Sequence, residues 1–330
     1  MRWRCIKIGV AYRARWAAAV FRPWTRAILD ANEVTVVAII VTYEPEPDAL
    51  KGLLDSVISQ VDAVVVIDNG SKVEVALWIS EWAGEAVSYV PLYRNLGIAA
   101  AQNAGIKWAK ERGAQYVVLF DQDSRPSPDM VARLLDASTA KARQGVLVAA
   151  VGPRYLDSRR NNPPPFIRIR GLRLRRLNCD HEDIVAVDYL ISSGSLMSMA
   201  TLDAVGGMAE SFFIDYVDIE WGLRAKQHGF GSFGVCSATM GHMLGENPIP
   251  FFGRRIPVHS PLRHYYHFRN AVYMYRWMQF PRNWKAVDGW RLVFRFFFYV
   301  LVTKPRYQHL SYMAKGIFDG LRGRMGSLET

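Results

Sequence analysis

Tyr116-Val117-Val118-Leu119-Phe120-Asp121-Gln122-Asp123-Ser124 decides the fold of this 330-residue chain. A short apolar run rich in valine and aromatics predicts a buried strand. The carboxyl end of that strand releases two carboxylates, Asp121 and Asp123, spaced i and i+2. In an extended chain such side chains leave on the same side. Two hard oxygen ligands there can hold a divalent cation that keeps its other positions for phosphate oxygens and water. Asp-x-Asp is by itself a common turn, so the surrounding chain has to decide.

Outward from this stretch the same alternation repeats. Val34-Thr35-Val36-Val37-Ala38-Ile39-Ile40-Val41 is an almost unbroken β-branched run, the pattern of a strand covered on both faces. A turn at residues 42–47 follows, and Leu50, Leu53, Leu54, Val57, Ile58 and Val61 then recur at helical spacing. Ala63 to Ile67 is a second strand, ending at Asp68-Asn69-Gly70-Ser71. A short strand about Val87 to Val90, a glycine-punctuated turn and a helix ending near Gly113 lead back to Tyr116. Downstream, a helix runs from about Ser127 to Ala142, and Val187 to Ile191 is strand-like. Repeated β-α alternation predicts an α/β, Rossmann-like fold with a mostly parallel central sheet flanked by helices. Ligands on such sheets bind outside the carboxyl ends of the strands. Thr42 and Tyr43, Asp68, and Asp121 to Asp123 all fall there, so one site can unite them.

Composition narrows the partners. Half of the chain is hydrophobic, enough for a substantial core and against extensive disorder. A formal charge of +11 directs attention to phosphates, an anionic membrane surface or nucleic acid. Cys5, Cys179 and Cys236 are odd in number and widely spaced; this predicts neither a disulfide framework nor a zinc site, but inert thiols in a reducing cytoplasm. The most apolar tail segment, Leu292 to Val302, has 11 residues and contains Arg295, against the roughly 20 a transmembrane helix needs. Arg13, Arg15 and Arg22 interrupt the N-terminal apolar stretch, unlike a signal peptide. The expected location is therefore the cytoplasmic side.

Two regions stand apart. Residues 154–176 carry eight arginines (154, 159, 160, 168, 170, 173, 175 and 176) around Pro163-Pro164-Pro165. They form either a solvated excursion or a loop facing a diphosphate or the membrane surface. After about residue 250, aromatic and basic residues interleave, as in His264-Tyr265-Tyr266-His267-Phe268-Arg269 and Trp290-Arg291-Leu292-Val293-Phe294-Arg295-Phe296-Phe297-Phe298-Tyr299. Helices of this composition commonly lie in a bilayer interface.

Four elements stand in order along the chain: Asp68 at a strand end; Asn95-Leu96-Gly97 opening a helix that contains Asn103 and Gly105; Asp121-x-Asp123; and Phe213-Ile214-Asp215-Tyr216-Val217-Asp218-Ile219-Glu220-Trp221. In this order they resemble the inverting glycosyltransferases of family 2, with a GT-A nucleotide-sugar fold. The last element together with Asp121-Gln122-Asp123-Ser124 looks most like the bacterial rhamnosyltransferases of O-antigen and related polysaccharide assembly. The resemblance covers about residues 34–275. It implies a basic N-terminal extension (1–33), a GT-A domain (34–250) with a nucleotide-sugar half to about 125 and an acceptor half beyond, and an aromatic, basic, helical C-terminal extension (251–330) that associates with membrane.

The resemblance also implies roles. Mg²⁺ or Mn²⁺ would be held by Asp121, Asp123 and His242. The donor, dTDP-β-L-rhamnose, would be bound by Thr42, Tyr43, Asp68, Asn95, Gly97, Asn103, Asp121 and Arg269, with Arg269-Asn270 at the diphosphate. Gly194, Ser195, Asp215, Glu220 and Trp221 would lie on the acceptor side, and Asp218 would be the base that inversion requires. The acceptor would be a polyprenyl-diphosphate-linked saccharide, met at the inner face of the cell membrane. Simpler readings stand beside these: an Asp-Asn-Gly turn for Asp68, helix capping for Asn95 and Gly97, and helix-dipole complement for Asp215 and Glu220. Many family members carry Glu-Asp where this chain has Val217-Asp218, which leaves one carboxylate at the matching place. Processive relatives carry Gln-x-x-Arg-Trp; here Tyr273 stands in the glutamine position before Arg276-Trp277, which points to a single addition. A UDP-hexose or another dTDP-deoxysugar is the alternative donor. A basic nucleic-acid or membrane-binding protein is the alternative class. No helix-turn-helix, RNP or zinc-finger pattern supports the nucleic-acid version, and no nucleic-acid partner is expected.

Overall fold

The computed structural model of the chain describes residues 35–156, 166–180, 182–241, 246–251 and 254–328. His242 and the 1–33 extension lie outside the described residues. The first half alternates as expected: β1 (Val36–Thr42), α1 (Pro47–Val57), β2 (Ala63–Asp68), α2 (Val75–Trp82), β3 (Val87–Pro91), α3 (Ile98–Lys110) and β4 (Tyr116–Asp121). There follow β5 (Arg125–Pro126), α4 (Met130–Arg143), β6 (Val148–Leu156), β7 (Phe166–Arg170), β8 (Arg173–Leu177), β9 (Ile184–Val187), β10 (Leu196–Ser198), α5 (Met199–Val205), α6 (Val217–Gln227), β11 (Gly231–Gly241), β12 (Glu246–Phe251) and β13 (Arg254–Val258). Three helices close the chain: α7 (Pro261–Trp277), α8 (Arg282–Val302) and α9 (Arg306–Leu321).

A nine-stranded sheet runs β3-β2-β1-β4-β10-β6-β11-β5, with β9 also paired to β11. From β3 to β4 it is parallel. In the other half β10 lies antiparallel between β4 and β6, and β11 returns parallel to β6. Every residue of β1 is buried, because its alternate side chains enter separate cores. Val37, Ile39 and Val41 face α3, α5, α6 and the C-terminal helices. Val36, Ala38 and Ile40 face α1, α2 and α4. The β-branched run of the sequence is thus a strand sandwiched between helical layers.

The C-terminal helices share the first of these cores, which Phe268, Met274, Trp284, Phe298 and Met313 enter. Helix α9 lies against the backbone of α7: a Cβ on Gly316 would fall 2.4 Å from the Tyr265 carbonyl oxygen, and one on Gly320 2.5 Å from that of Arg269. Ser260 caps α7 by accepting from the Arg263 N–H, with Pro261 at the first helical position. Among the described residues no helix is long and apolar enough to cross a membrane.

Three expectations are corrected. Cys179 and Cys236 are not separate thiols but form a disulfide, with Cα atoms 5.6 Å apart; β11 brings into contact two cysteines that their 57-residue separation concealed. Within the arginine-rich region, residues 166–177 form an antiparallel hairpin, β7 with β8, rather than a loop; Arg159 and Arg160 lie outside the described residues. The strand expected over Val187–Ile191 ends at Val187, and the chain then turns toward Gly194.

Candidate active site

The parallel register sets the strand ends level. Thr42 lies opposite Asp68, and Val41 opposite Asp121. The Thr42 hydroxyl donates to Asp68 Oδ1 at 2.9 Å, the Ser71 N–H to Oδ2 at 3.0 Å and the Ser71 hydroxyl to Oδ1 at 2.6 Å. Asp68 is 3% exposed, so these donors hold a buried carboxylate in one orientation at the mouth of the sheet. Beside it, the Tyr43 N–H donates to Gln122 Oε1 at 2.8 Å, and Gln122 Nε2 returns to the Tyr43 carbonyl at 3.3 Å. That reciprocal pair fastens the exit of β1 to the turn bearing Asp121 and Asp123.

The turn itself closes through the Ser124 N–H on the Asp121 carbonyl at 3.1 Å. Ser193, fully buried, supports it from below. Its hydroxyl oxygen accepts from the Asp121 N–H at 3.0 Å and lies 2.7 Å from the Ser124 hydroxyl, while its carbonyl accepts from the Tyr155 hydroxyl. The next N–H, of Gly194, donates to the Leu119 carbonyl at 2.6 Å, and Ser195 Oγ donates to the Ile191 carbonyl at 2.6 Å. The Ser195 carbonyl in turn accepts from the Leu119 N–H at 3.1 Å, so Gly194 and Ser195 fasten this segment to β4, the strand that leads to Asp121. Among the described residues no three His, Cys, Asp or Glu side chains form a closed cage. Two carboxylates on one turn fit a hard divalent cation that takes its other oxygens from phosphate and water.

Across from this turn, Phe213, Asp215 and Tyr216 all have positive φ, at 65°, 64° and 64°. Non-glycine residues adopt that region only where their surroundings force it. Here the forcing comes from α7 and α8. Asn270 Nδ2 donates to the carbonyls of Phe212, Ile214 and Asp215 at 3.0, 2.8 and 2.8 Å. Phe213 stacks on Tyr266 at 4.9 Å, and the Tyr216 hydroxyl donates to Asp288 Oδ2 at 2.7 Å.

This strained loop launches Asp218 in the first turn of α6. Burial pushes the Asp218 carboxyl up to about 6, against the lowering effect of the Ile219 N–H, and the charges of Asp215 and Asp121 add to the rise. Asp218 borders a small cavity with Leu190, Ser192, Ser195 and Trp221. Asp215 behaves oppositely. Burial alone would raise it, but the Arg263 guanidinium, at 3.2–3.3 Å, holds its carboxyl below the usual range. Of the two, Asp218 is suited to take a proton and Asp215 to stay ionised in its pair.

Several residues assigned from sequence have partners within the protein frame. Asn95 Oδ1 accepts from Asn69 Nδ2 and the Gly97 N–H, both at 3.0 Å, so it joins two loops. Gly97 (φ 88°) is needed because a Cβ would sit 2.5 Å from the Phe213 carbonyl oxygen, to which the Ile98 N–H donates; the close approach is to protein backbone. Asn103 binds Met208 and Glu210. Arg269 is buried, and its guanidinium donates to the carbonyls of Ser211, Phe212 and Gly326 and to Asn270. These bonds tie Arg269 to the 211–212 backbone, to Gly326 and to Asn270. Glu220 is buried in a forked pair with Arg224 at 2.7 and 2.9 Å, and the Trp221 indole donates to the Gly206 carbonyl at 2.8 Å. Asn69, Ser71, Gln122 and Ser193 were not evident from sequence. Each is an ordinary polar residue by sequence, and its role appears only once distant segments meet.

Residues 37–205 match the family model described as Glycosyl transferase family 2. Over 299 residues the chain is 33% identical to the dTDP-rhamnosyl transferase RfbF of Shigella flexneri, spanning 88% of this chain and 97% of the relative. This chain is a family 2 glycosyltransferase. It is also 28% identical over 257 residues to the galactofuranosyltransferase GlfT1 of Mycolicibacterium smegmatis, covering 72% of this chain and 82% of that one. Among solved structures, S. aureus TarS 1–349 in complex with UDP-GlcNAc aligns with a TM-score of 0.55 at 16% identity, over 87% of this chain and 82% of that chain. GalNAc-T7 with UDP, GalNAc and Mn²⁺ gives 0.55 at 15% identity, over 89% of this chain and 57% of that one. At such identities the structural likeness speaks for the fold alone, which is GT-A-like. Membership decides between the enzyme and a protein whose charge alone is its function, in favour of the enzyme.

Proposed function

We propose that this glycosyltransferase transfers L-rhamnose from dTDP-β-L-rhamnose, with inversion, to a polyprenyl-diphosphate-linked saccharide at the inner face of the cell membrane during surface-polysaccharide assembly. The observation that carries the donor is the 33% identity to RfbF over nearly the full length of both chains. The chemistry is supported by strand-end carboxylates on one side and the strained Asp218 loop on the other.

Asp68 accepts a hydrogen bond from the pyrimidine N–H or a ribose hydroxyl, its orientation fixed by Thr42 and Ser71. Asp121 and Asp123 would hold a Mg²⁺ or Mn²⁺ ion, which when bound offsets the charge growing on the departing diphosphate. The acceptor oxygen attacks the glycosyl carbon from the face opposite the diphosphate. As the new C–O bond forms, the bond to the phosphate oxygen breaks and dTDP leaves with its electron pair. The acceptor proton passes to Asp218. A carboxyl raised to about 6 is a stronger base than an ordinary aspartate and is still ionised at neutral pH.

The donor assignment is tested by transfer from a panel of nucleotide sugars, with dTDP-β-L-rhamnose expected to give the highest kcat/KM. The similarity to galactofuranosyltransferases favours a second reading, a UDP-hexose donor, and a preference for one in the same panel would replace the first.

Two further outcomes follow. Asp218 works only when ionised, so kcat/KM should fall about tenfold per pH unit as pH drops below about 6, and level off above it. A flat profile between pH 7 and 5 would contradict its role. Asp123→Ala should abolish most divalent-dependent transfer while leaving the melting temperature near wild type, because the side chain sits at the sheet mouth rather than in a core. Near-normal turnover in that variant, or indifference of the native enzyme to EDTA, would remove the metal assignment.

A further inference from the structure

Helix α8 has two unlike sides. Its inward residues contact the Tyr216 loop and α7: Asp288 accepts from Tyr216 and Tyr275, and Tyr299 stacks on His264 at 3.9 Å. Its outward residues Trp290, Val293, Phe294, Phe297 and Leu301 recur at helical spacing as one apolar stripe, with Trp290 75% and Leu301 64% exposed. The stripe runs about 17 Å along the helix, and exposed cations bound it, Arg282 at one end and Lys304 and Arg306 at the other.

The β7–β8 hairpin abuts the start of this helix, where Asn283 Nδ2 donates to the Gly171 carbonyl at 3.2 Å. At the hairpin tip Leu172 is 74% exposed. Behind it Arg170 lies directly opposite Arg173, and Arg168 opposite Arg175. Like charges in facing positions destabilise a strand pair, and among the described residues no carboxylate pairs with these four. The arrangement becomes favourable against an external anionic surface.

We infer that the outward side of α8 and the adjoining β7–β8 hairpin form one docking surface for an anionic lipid bilayer, the stripe entering the interface in plane and the arginines meeting headgroup phosphates. Charge selects this occupant. A second copy of the chain would bring Arg282, Lys304 and Arg306 against cations of its own kind, whereas an anionic bilayer matches both the stripe and its cationic surround. Amphipathic helices bounded by Lys and Arg bind such interfaces without crossing them. Because the other side of α8 contacts the Tyr216 loop, docking would set the acceptor side one helix thickness, about 10 Å, from the lipid. This deepens the lipid-linked acceptor reading and rests on it.

Co-sedimentation with phosphatidylglycerol and phosphatidylcholine vesicles tests the surface. The wild type should bind the anionic vesicles selectively, and less as salt rises. Arg170→Ser with Arg173→Ser should weaken that binding roughly thirty-fold, and Trp290→Ser with Leu301→Ser at least about tenfold. Both pairs should keep normal transfer to a water-soluble acceptor, since all four residues are exposed and none is among those assigned to the site. Equal binding to the two vesicle types, or unaltered binding by either pair, would overturn the proposal. So would a wild-type dimer in light scattering that Trp290→Ser with Leu301→Ser converts to monomer, which would make the stripe a subunit interface. A wild type that binds anionic vesicles but transfers no sugar would count against the transferase reading and leave the surface standing.

Discussion

Asp218→Asn should lower turnover by roughly 10²–10⁴-fold while leaving donor affinity nearly unchanged. The amide keeps the shape of the side chain and its acceptance from the Ile219 N–H, but it cannot take the acceptor proton. The proposed donor contacts lie on other elements, the ends of β1, β2 and β4, so the loss is expected in kcat. Asp215→Asn should cost distinctly less in proton transfer, because that carboxylate already serves Arg263. Steady-state kinetics on both variants, with donor binding measured separately, decides the matter. If Asp215→Asn proves the costlier of the two, Asp215 is the base and the assignment is displaced by three residues.

The second large effect is expected at a residue that touches no reactant. Asn270→Ala removes the donor shared by three loop carbonyls; the Phe212 carbonyl keeps Arg269, whereas those of Ile214 and Asp215 lose this donor, at about 1–3 kcal/mol for each buried carbonyl left unpaired. More important, Phe213, Asp215 and Tyr216 lose the amide that keeps them at positive φ. A displacement of about 1 Å at Asp218 is enough to lower kcat about 10²-fold. The donor KM should hold, since Asp68 and Asp121 are anchored independently through Ser71 and Ser193. Thermal melting alongside kcat and KM checks this. A stable Asn270→Ala variant with wild-type kcat would show that the loop keeps its shape without the clamp.

The sheet was legible because its signal is local. Val34 to Val41 and Tyr116 to Phe120 carry β-branched and aromatic residues without interruption, and burial on both faces is what such runs require. The level strand ends followed from the alternation, so Thr42, Asp68, Asp121 and Asp123 were found together. What escaped was everything set by long-range approach. The functions of Asn95, Gly97 and Asn103 depend on segments around residues 69, 213 and 208, which no helical or strand period relates to them. Arg269-Asn270 stood out as a pair, yet only the position of α7 reveals that both donate to the 211–215 backbone. The Cys179–Cys236 bond was hidden for the same reason. The raised Asp218 carboxyl also departs from an ordinary aspartate. Its cause, burial beside Asp215 and Asp121, is a property of the folded site and not of the motif.

The account rests on a single displacement of dTDP from a β-configured rhamnosyl donor, and the anomeric configuration of the product tests that most directly. Purified enzyme, dTDP-β-L-rhamnose and a saccharide acceptor would be incubated with Mg²⁺ and the product examined by proton and carbon NMR. The account predicts one new α-L-rhamnosyl linkage, with none formed by Asp218→Asn under the same conditions. A β-linked product, or α-linked product formed equally by the variant, would contradict it.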